Sequence, residues 1–480
     1  MTSGFARPAT SVDAVTLLDM LARWLPSQRW FPGRELPVSE LAITADTELA
    51  AGDPGLRHVI ITASAGPAAG RYQLLVGLRS QLPDSLGYAV IGTLPTGLTA
   101  YDAAHDPELS PLLLRGIAGQ ATVGPLRFIR EPGAEISSWP GSRVMTAEQS
   151  NTSIVFGEAA ILKLMRRVFP GPNPDLEVAG ALARLGSAQV AAPFGWIETD
   201  LDEEPALLAV LSQYLAHASD GWSVATGLLR RMYARLGGYG QEYLTAPVPQ
   251  RHATAAGESA AAPAEVPFAG DAYLLGQATG RLHADMATAF GGGQLEPSGL
   301  AALAARMTDK LERARAEVPA LDPYAAMVRR AYDDLAAVRE PVAIQRIHGD
   351  YHLGQVLRTA AGWVALDFEG EPAAPVAQRR ALAPALQDVA GMLRSFDYAA
   401  RHQLIGHPEA GQLRLPASQW VRQCQAAFCA GYADAGGADP QANAALLRAL
   451  TLEKAVYEVI YEYRHRPAWL SIPLESIAAA

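Results

Sequence analysis

Gln345-Arg346-Ile347-His348-Gly349-Asp350-Tyr351-His352-Leu353-Gly354-Gln355, followed by Val356-Leu357-Arg358-Thr359-Ala360-Ala361-Gly362-Trp363-Val364-Ala365-Leu366-Asp367-Phe368-Glu369-Gly370-Glu371-Pro372, is the stretch from which the rest of the chain can be read. It begins as a short loop carrying a carboxylate and an amide. A Val-Leu strand, an Ala-Ala-Gly turn and a Trp-Val-Ala-Leu strand running out onto acids follow. Such a hairpin gathers Asp350, Gln355 and Asp367 around one point. Phosphoryl transfer uses this combination: a carboxylate to take the proton of the acceptor hydroxyl, then an amide and a second carboxylate to hold Mg²⁺ against the phosphates. Asp350 would fill the first role and Gln355 and Asp367 the second, with Glu369 one of the acids that end the second strand. Acids at strand ends otherwise cap turns. The order and spacing of three elements together favour the catalytic reading.

A chain of 480 residues, 49% hydrophobic, can bury a large core and divides into two or three compact parts. Its net charge of −10 and pI near 5.5 argue against a nucleic-acid or anionic-membrane partner, which both call for a basic surface. A phosphate site must then be basic locally. Cys424 and Cys429 stand five apart in a predicted helix, off a common face, which disfavours a disulfide or a metal site. No apolar run reaches membrane-spanning length and the N-terminus has no signal pattern, so a reducing cytoplasm is the simplest reading.

Residues 13–25 read as an amphipathic helix ending at Pro26, followed by Arg29-Trp30-Phe31 and Gly33-Arg34. Aromatics set among arginines suit a binding loop, but equally pin a helix to a sheet. Strands are predicted at 40–45, 57–64, 71–78 and 87–92, a helix over 102–119, and strands again within 121–144. The polar turn from Glu148 to Ser153, ahead of a strand at Ile154, offers the hydroxyls and amides of Ser150, Asn151, Thr152 and Ser153 to phosphates. Lys163, on the next strand, can reach the same phosphates, although a lysine there also serves as an edge charge. Asn173 caps a helix with Pro174 at its first position, which puts Glu177 near the N-terminus. Glu177 is then placed to pair with Lys163, or only to complement the helix dipole. The apolar strand from Pro205 turns polar at Gln213, Tyr214 and Leu215, where backbone groups would read an adenine.

Beyond Trp222 the pattern is mostly helical, with helices at 271–289 and 297–316 and an Ala/Pro/Thr-rich stretch at 245–265 that has little to bury. Asp388, at the start of a helix, reads from its pattern as a site or a surface acid; a resemblance to protein-kinase-like lobes, where an acid at this helix start braces the catalytic loop by hydrogen bonds, implies that role for it. On the last long helix, Glu453, Tyr457, Tyr461 and Arg464 share one face, opposite Leu452, Val456 and Val459. Rings that stack on sugar C–H faces and acids that take hydroxyls make this an acceptor surface, or else a solvated face laced with ion pairs. His348 and Trp469 join these four as substrate-side candidates.

The wording His348-Gly349-Asp350 to Gln355, followed by Leu366-Asp367-Phe368-Glu369, resembles the signature of aminoglycoside-phosphotransferase-like kinases. Asn173-Pro174-Asp175-Leu176-Glu177, the Arg29-Trp30 segment and Lys454-Ala455-Val456-Tyr457-Glu458 through Trp469 are similar to actinobacterial maltokinases in particular. The resemblance implies an α+β, bilobal protein-kinase-like fold: an N-terminal cap over residues 1–95, a nucleotide-binding N-lobe over 96–215 and a helical C-lobe over 216–480. It implies an enzyme using ATP and Mg²⁺ to make maltose 1-phosphate for α-glucan synthesis, with a trehalose synthase as a partner type. One departure is Ala383, where those kinases carry an acid. Alternatives are a glucosamine kinase giving a 6-phosphate, an aminoglycoside- or choline-type kinase, and a non-catalytic subunit of trehalose synthase.

Overall fold

The computed structural model describes residues 14–32, 40–64, 66–145, 150–236, 266–371 and 375–480. Predictions touching Gly33, Arg34, Glu148, Gln149 and the 245–265 stretch lie outside the described residues. The chain falls into two compact units, Met1–Gly180 with Ala191–Ala216, and Ala181–Val190 with His217–Ala480. The strands expected of the cap and the sheet that follows them lie in the first unit.

Unit 1 opens with α1 (Ala14–Trp24), whose Leu17, Met20, Leu21 and Trp24 are buried on one face. Five strands follow: β1 (Leu41–Ala50), β2 (Gly55–Ala63), β3 (Gly70–Arg79), β4 (Val90–Thr93) and β5 (Thr99–Asp102). They form an antiparallel sheet in the order β1-β2-β3-β5-β4. The helix predicted over 102–119 shrinks to α2 (Pro111–Ala118). Asp102 ends a strand and its side chain accepts from the Ala104 N–H, so a short turn occupies the chain ahead of Pro111. A second sheet runs β6 (Thr122–Val123), β7 (Leu126–Arg130), β8 (Ser142–Val144), β9 (Thr152–Phe156), β10 (Ala160–Leu164), β12 (Pro193–Leu201) and β13 (Glu204–Gln213), in the order β6-β7-β12-β13-β10-β9-β8. Between β10 and β12 lie β11 (Arg167–Val168) and α3 (Pro174–Arg184).

One hydrophobic core serves both sheets. Leu56, Leu75 and Tyr101 from the first cluster with Phe128, Ile154, Leu162 and Leu208 from the second. β11 pairs with β3, and the Gln73 side-chain amide donates to the carbonyls of Met165 and Leu208, both at 2.6 Å. Trp30 and Phe31 pack against Tyr72, with the Arg166 guanidinium 4.9 Å from the Trp30 ring, so these aromatics pin α1 to the sheet.

Unit 2 is mostly helical: α4 (Gly221–Leu236), α5 (Ala269–Phe290), α6 (Pro297–Glu317), α7 (Ala325–Ala336), α8 (Val376–Arg379), α9 (Leu386–Arg401), α10 (Ala410–Asp434), α11 (Ala444–His465) and α12 (Ser471–Ala478). Its strands are short. β14 (Ser219–Asp220), β17 (Val356–Thr359) and β18 (Gly362–Ala365) make one sheet, and β15 (Gly292–Leu295) pairs with β16 (Val342–Gln345). No helix among the described residues is long and apolar enough to cross a membrane. Cys424 and Cys429 are free thiols on α10.

Candidate active site

β17 and β18 form the hairpin read from the sequence, in the register Val356↔Ala365 to Thr359↔Gly362. This register returns the chain to Gln355, whose side-chain amide donates to Asp367 Oδ2 at 3.2 Å. Asp367 itself has φ +63°, a left-handed conformation that turns the chain away from the strand. Gly349 has φ +85°, and a Cβ there would stand 3.4 Å from the Gly370 Cα. The loop bearing Asp350 and the hairpin exit therefore lie back to back, which a side chain at position 349 would oppose.

α9 holds this loop from below. Asp388 is 1% exposed and accepts the backbone N–H groups of His348 at 2.7 Å and Gly349 at 2.9 Å, with His283 Nε2 3.1 Å from the same carboxylate. Burial would raise the Asp388 carboxyl, but the His283 hydrogen bond and charge, His348 and the Gly349 N–H hold it below the ordinary carboxylate range. The brace expected of Asp388 is what the fold contains. Ser395, two turns on, accepts the Leu353 N–H at 3.0 Å, and Gly391 lies so close beneath that an added Cβ would meet the Tyr351 carbonyl at 2.6 Å.

His348 departs from its substrate-side assignment. The residue is 1% exposed, its Nε2 donates to the Leu366 carbonyl at 2.8 Å, and its Nδ1 faces the Asp350 N–H at 3.4 Å. A ring so enclosed orients the Asp350 backbone and is not open to an acceptor. The carboxylate of Asp350 has two basic neighbours, His352 Nε2 and Lys454 Nζ, each 3.8 Å away. Lys454 also lies 3.2 Å from Glu371 Oε2, and the Tyr457 hydroxyl donates to Glu371 Oε1 at 3.2 Å. Burial and the Glu371 charge push the Tyr457 phenol up to about 12, so it stays a donor. Lys454 and Glu371 were not singled out from the sequence, because they meet across more than eighty residues; a lysine inside a tyrosine- and acid-bearing helix was the available signal.

The other candidates on α11 go different ways. Tyr461 stacks beside Tyr457 at 6.4 Å between ring centroids. Glu453 pairs with Lys310 of α6, and Arg464 makes a two-bonded pair with Glu317, at 2.6 Å for each bond. Their charges are used in joining α11 to α6. Trp469 lies just past the helix, under the Arg466 guanidinium at 4.4 Å.

In unit 1, β10 alternates: Ala160, Leu162 and Leu164 are buried in the shared core, and Lys163 points to the opposite face. There Leu176 of α3 packs against a small cluster of Met165, Leu207 and Val210, the last being the cross-strand partner of Lys163. The Asp175 carboxylate, next to Leu176 in the chain, lies 3.8 Å from Lys163 Nζ. Asp175 was missed in sequence, although it shares the first turn with Glu177. The predicted cap is present, with Asn173 Oδ1 accepting the Leu176 N–H at 3.0 Å. The polar turn ends sooner than predicted: β9 begins at Thr152, and Thr152 and Ser153 are buried. The Thr152 hydroxyl accepts from Arg166 Nε at 2.7 Å, which withdraws it from any phosphate and leaves Ser150 and Asn151 in the turn. At the end of β13 the N–H groups of Gln213 and Tyr214 donate to Ala192 and Ala159, and the Tyr214 hydroxyl is 3.2 Å from Arg143; Leu215 follows directly.

Residues 149–433 match the phosphotransferase enzyme family, and residues 24–106 match the maltokinase N-terminal cap domain. The chain belongs to the phosphotransferase enzyme family. This phosphotransferase is 30% identical over 373 residues to a glucosamine kinase of Streptacidiphilus jiangxiensis, spanning 75% of the chain and 78% of the relative. It is equally 30% identical over 356 residues to a glucosamine kinase of Mycolicibacterium smegmatis, spanning 71% and 79%. Among solved structures it resembles a glucosamine kinase in complex with glucosamine, ADP and inorganic phosphate, with TM-score 0.66, 24% identity and coverage of 96% of this chain and 98% of that one. A glucosamine kinase in crystal form B gives TM-score 0.64, 25% identity and coverage of 98% and 97%. The fold is the α+β, bilobal aminoglycoside-phosphotransferase-like one, and the phosphotransferase is a kinase acting on a hydroxyl acceptor.

Proposed function

We propose that the chain is an ATP-dependent sugar kinase whose acceptor is an amino sugar of the glucosamine type. The observation that carries the reading is the hairpin set, Asp350 on a braced loop with Gln355 against Asp367, in a chain whose curated relatives are named as glucosamine kinases. Asp350 takes the proton of the acceptor hydroxyl. Lys163, paired with Asp175 in the first turn of α3, binds phosphate, with Ser150 and Asn151 contributing polar groups and Leu215, past the Gln213 and Tyr214 N–H groups that Ala192 and Ala159 already take, meeting the base. The Gln355 and Asp367 side chains fit a small hard cation: the amide nitrogen is turned to Asp367, leaving the amide oxygen and carboxylate oxygens as donors, with Glu369 near in sequence. Mg²⁺ held there would neutralise phosphate charge. Glu371 and Tyr457, joined at 3.2 Å, offer an acid and a ring to the acceptor, with Tyr461 beside them.

The second reading is maltose with phosphate placed on its anomeric oxygen, favoured by the match of residues 24–106 to the maltokinase cap; a trehalose synthase is then the partner class. One experiment decides. Purified protein is incubated with Mg-ATP and glucosamine, maltose, glucose or kanamycin, and products are identified by phosphorus NMR. Phosphate on the 6-hydroxyl of glucosamine is the expected result. Phosphate on maltose alone moves the assignment to the second reading, and an inert protein ends both.

A further inference from the structure

Two carboxylates, Asp350 and Glu371, converge on the ammonium of Lys454, at 3.8 and 3.2 Å. The lysine belongs to α11, and no step assigned above uses it. It is firmly held. The Tyr457 hydroxyl fixes the other oxygen of Glu371, the Tyr457 ring lies 5.1 Å from the ammonium, and Glu458, one turn on, is paired with Arg394 at 2.7 Å. Burial opposes the charge on Lys454, but Glu371, Asp350 and Glu458 outweigh it and its pKa is raised, so the ammonium keeps its proton at neutral pH. The side chain is nevertheless 29% exposed, so the charge is presented to whatever approaches Asp350. A partly exposed ion pair contributes little to stability, and stability alone is a weak reason for this arrangement.

Charge balance supplies a better one, and it rests on the kinase reading above. The acceptor oxygen gives its proton to Asp350 and bonds to the terminal phosphorus of the nucleoside triphosphate. The bond from that phosphorus to its bridging oxygen breaks, and the electron pair leaves on the nucleoside diphosphate. The phosphoryl group thus brings negative charge to an oxygen beside Asp350, which its new proton leaves neutral, and near the Glu371 carboxylate, whose like charge opposes the transfer. A fixed cation on the acceptor side removes that opposition where the charge arrives. We propose that Lys454 is a catalytic residue: its ammonium contacts the phosphoryl group as it reaches the acceptor oxygen, and it keeps its own proton throughout.

The test compares wild type, Lys454→Met and Lys454→Arg, with Mg-ATP and glucosamine, or maltose if that is the sugar wild type phosphorylates. Lys454→Met should lower kcat about 100-fold, the usual scale for losing one electrostatic contact to a transition state. Its KM for ATP should stay within about twofold, and Lys454→Arg should recover most of kcat. A Lys454→Met enzyme within about threefold of wild type, or an arginine variant as defective as the methionine one, overturns the proposal. So does a loss of kcat matched by a fall in melting temperature. Should Lys454→Met fail to fold, Lys454→Gln is judged by the same criteria. A wild type inert towards every sugar sinks the kinase reading instead.

Discussion

Asp367 occupies a left-handed backbone position, φ +63°, that asparagine and aspartate tolerate and most side chains do not. Alanine there adds strain of about 1–2 kcal/mol to the loss of the carboxylate, so Asp367→Asn is the variant that isolates the charge. It should weaken Mg-ATP binding with little change in melting temperature. Asp350→Asn should behave differently, abolishing turnover while nucleotide affinity, measured by calorimetry, stays near wild type. Equal loss of nucleotide binding in both variants would remove the distinction between base and metal ligand. Lys163→Ala should raise the KM for ATP at least tenfold and the sugar KM little, as expected when one phosphate contact is lost. An unchanged ATP constant would return Lys163 to the role of an edge charge paired with Asp175.

Asp388 and Ser395 of α9 hold the backbone of the loop that carries Asp350. Asp388→Ala would leave two backbone N–H groups and His283 without their buried acceptor, a loss of about 3–5 kcal/mol. Asp388→Asn keeps one oxygen and should lose less, with kcat falling while the KM for ATP holds. Urea unfolding and steady-state kinetics on the two variants separate those effects; if the alanine variant unfolds like wild type, the brace is not as described. Much of this was legible in the chain. The hairpin and the Asn173 cap follow from local chemistry, since turn residues, alternation and capping act over a few positions. The pairings of Lys454 with Glu371, Glu453 with Lys310 and Arg464 with Glu317 were not, because each joins stretches 83, 143 and 147 residues apart and no local pattern records which distant partner a charge finds. Thr152 was misplaced for the same reason: the β-branched residue extends β9 because Arg166, fourteen residues on, uses its hydroxyl.

Across the whole molecule, the interior of unit 1 gives stability a pH dependence. His58 is buried, and its Nε2 is 2.9 Å from Gln73 Oε1; both of the Gln73 amide donations go to carbonyls, so the histidine donates and its Nδ1 lacks a partner among the described residues. Burial lowers its pKa from 6.5 to about 4 despite the Gln73 bond. Between those values the unfolded chain binds a proton that the folded chain refuses, so stability present above pH 6.5 is lost as pH falls, levelling near 4. The loss should reach about 3 kcal/mol. Thermal melts of wild type and His58→Leu from pH 7.5 to 4 test it: the substitution should flatten the slope in that window, and parallel curves would contradict the assignment.

The bond between the cap and the sheet that follows bears on how such a chain can change over generations. Arg166 is fully buried, its Nη2 2.5 Å from Asp102 of the cap-matching segment and its ring contact Trp30 in that same segment. Deleting the cap would strand a guanidinium in the interior and uncover the edge of β11 and the Met165 and Leu208 carbonyls that Gln73 serves. A chain without the cap would need Arg166, Met165 and Leu208 to find other partners at the same time. The cap-matching segment and the sheet that follows it are thus bound by buried polar groups, and removing one demands changes in the other.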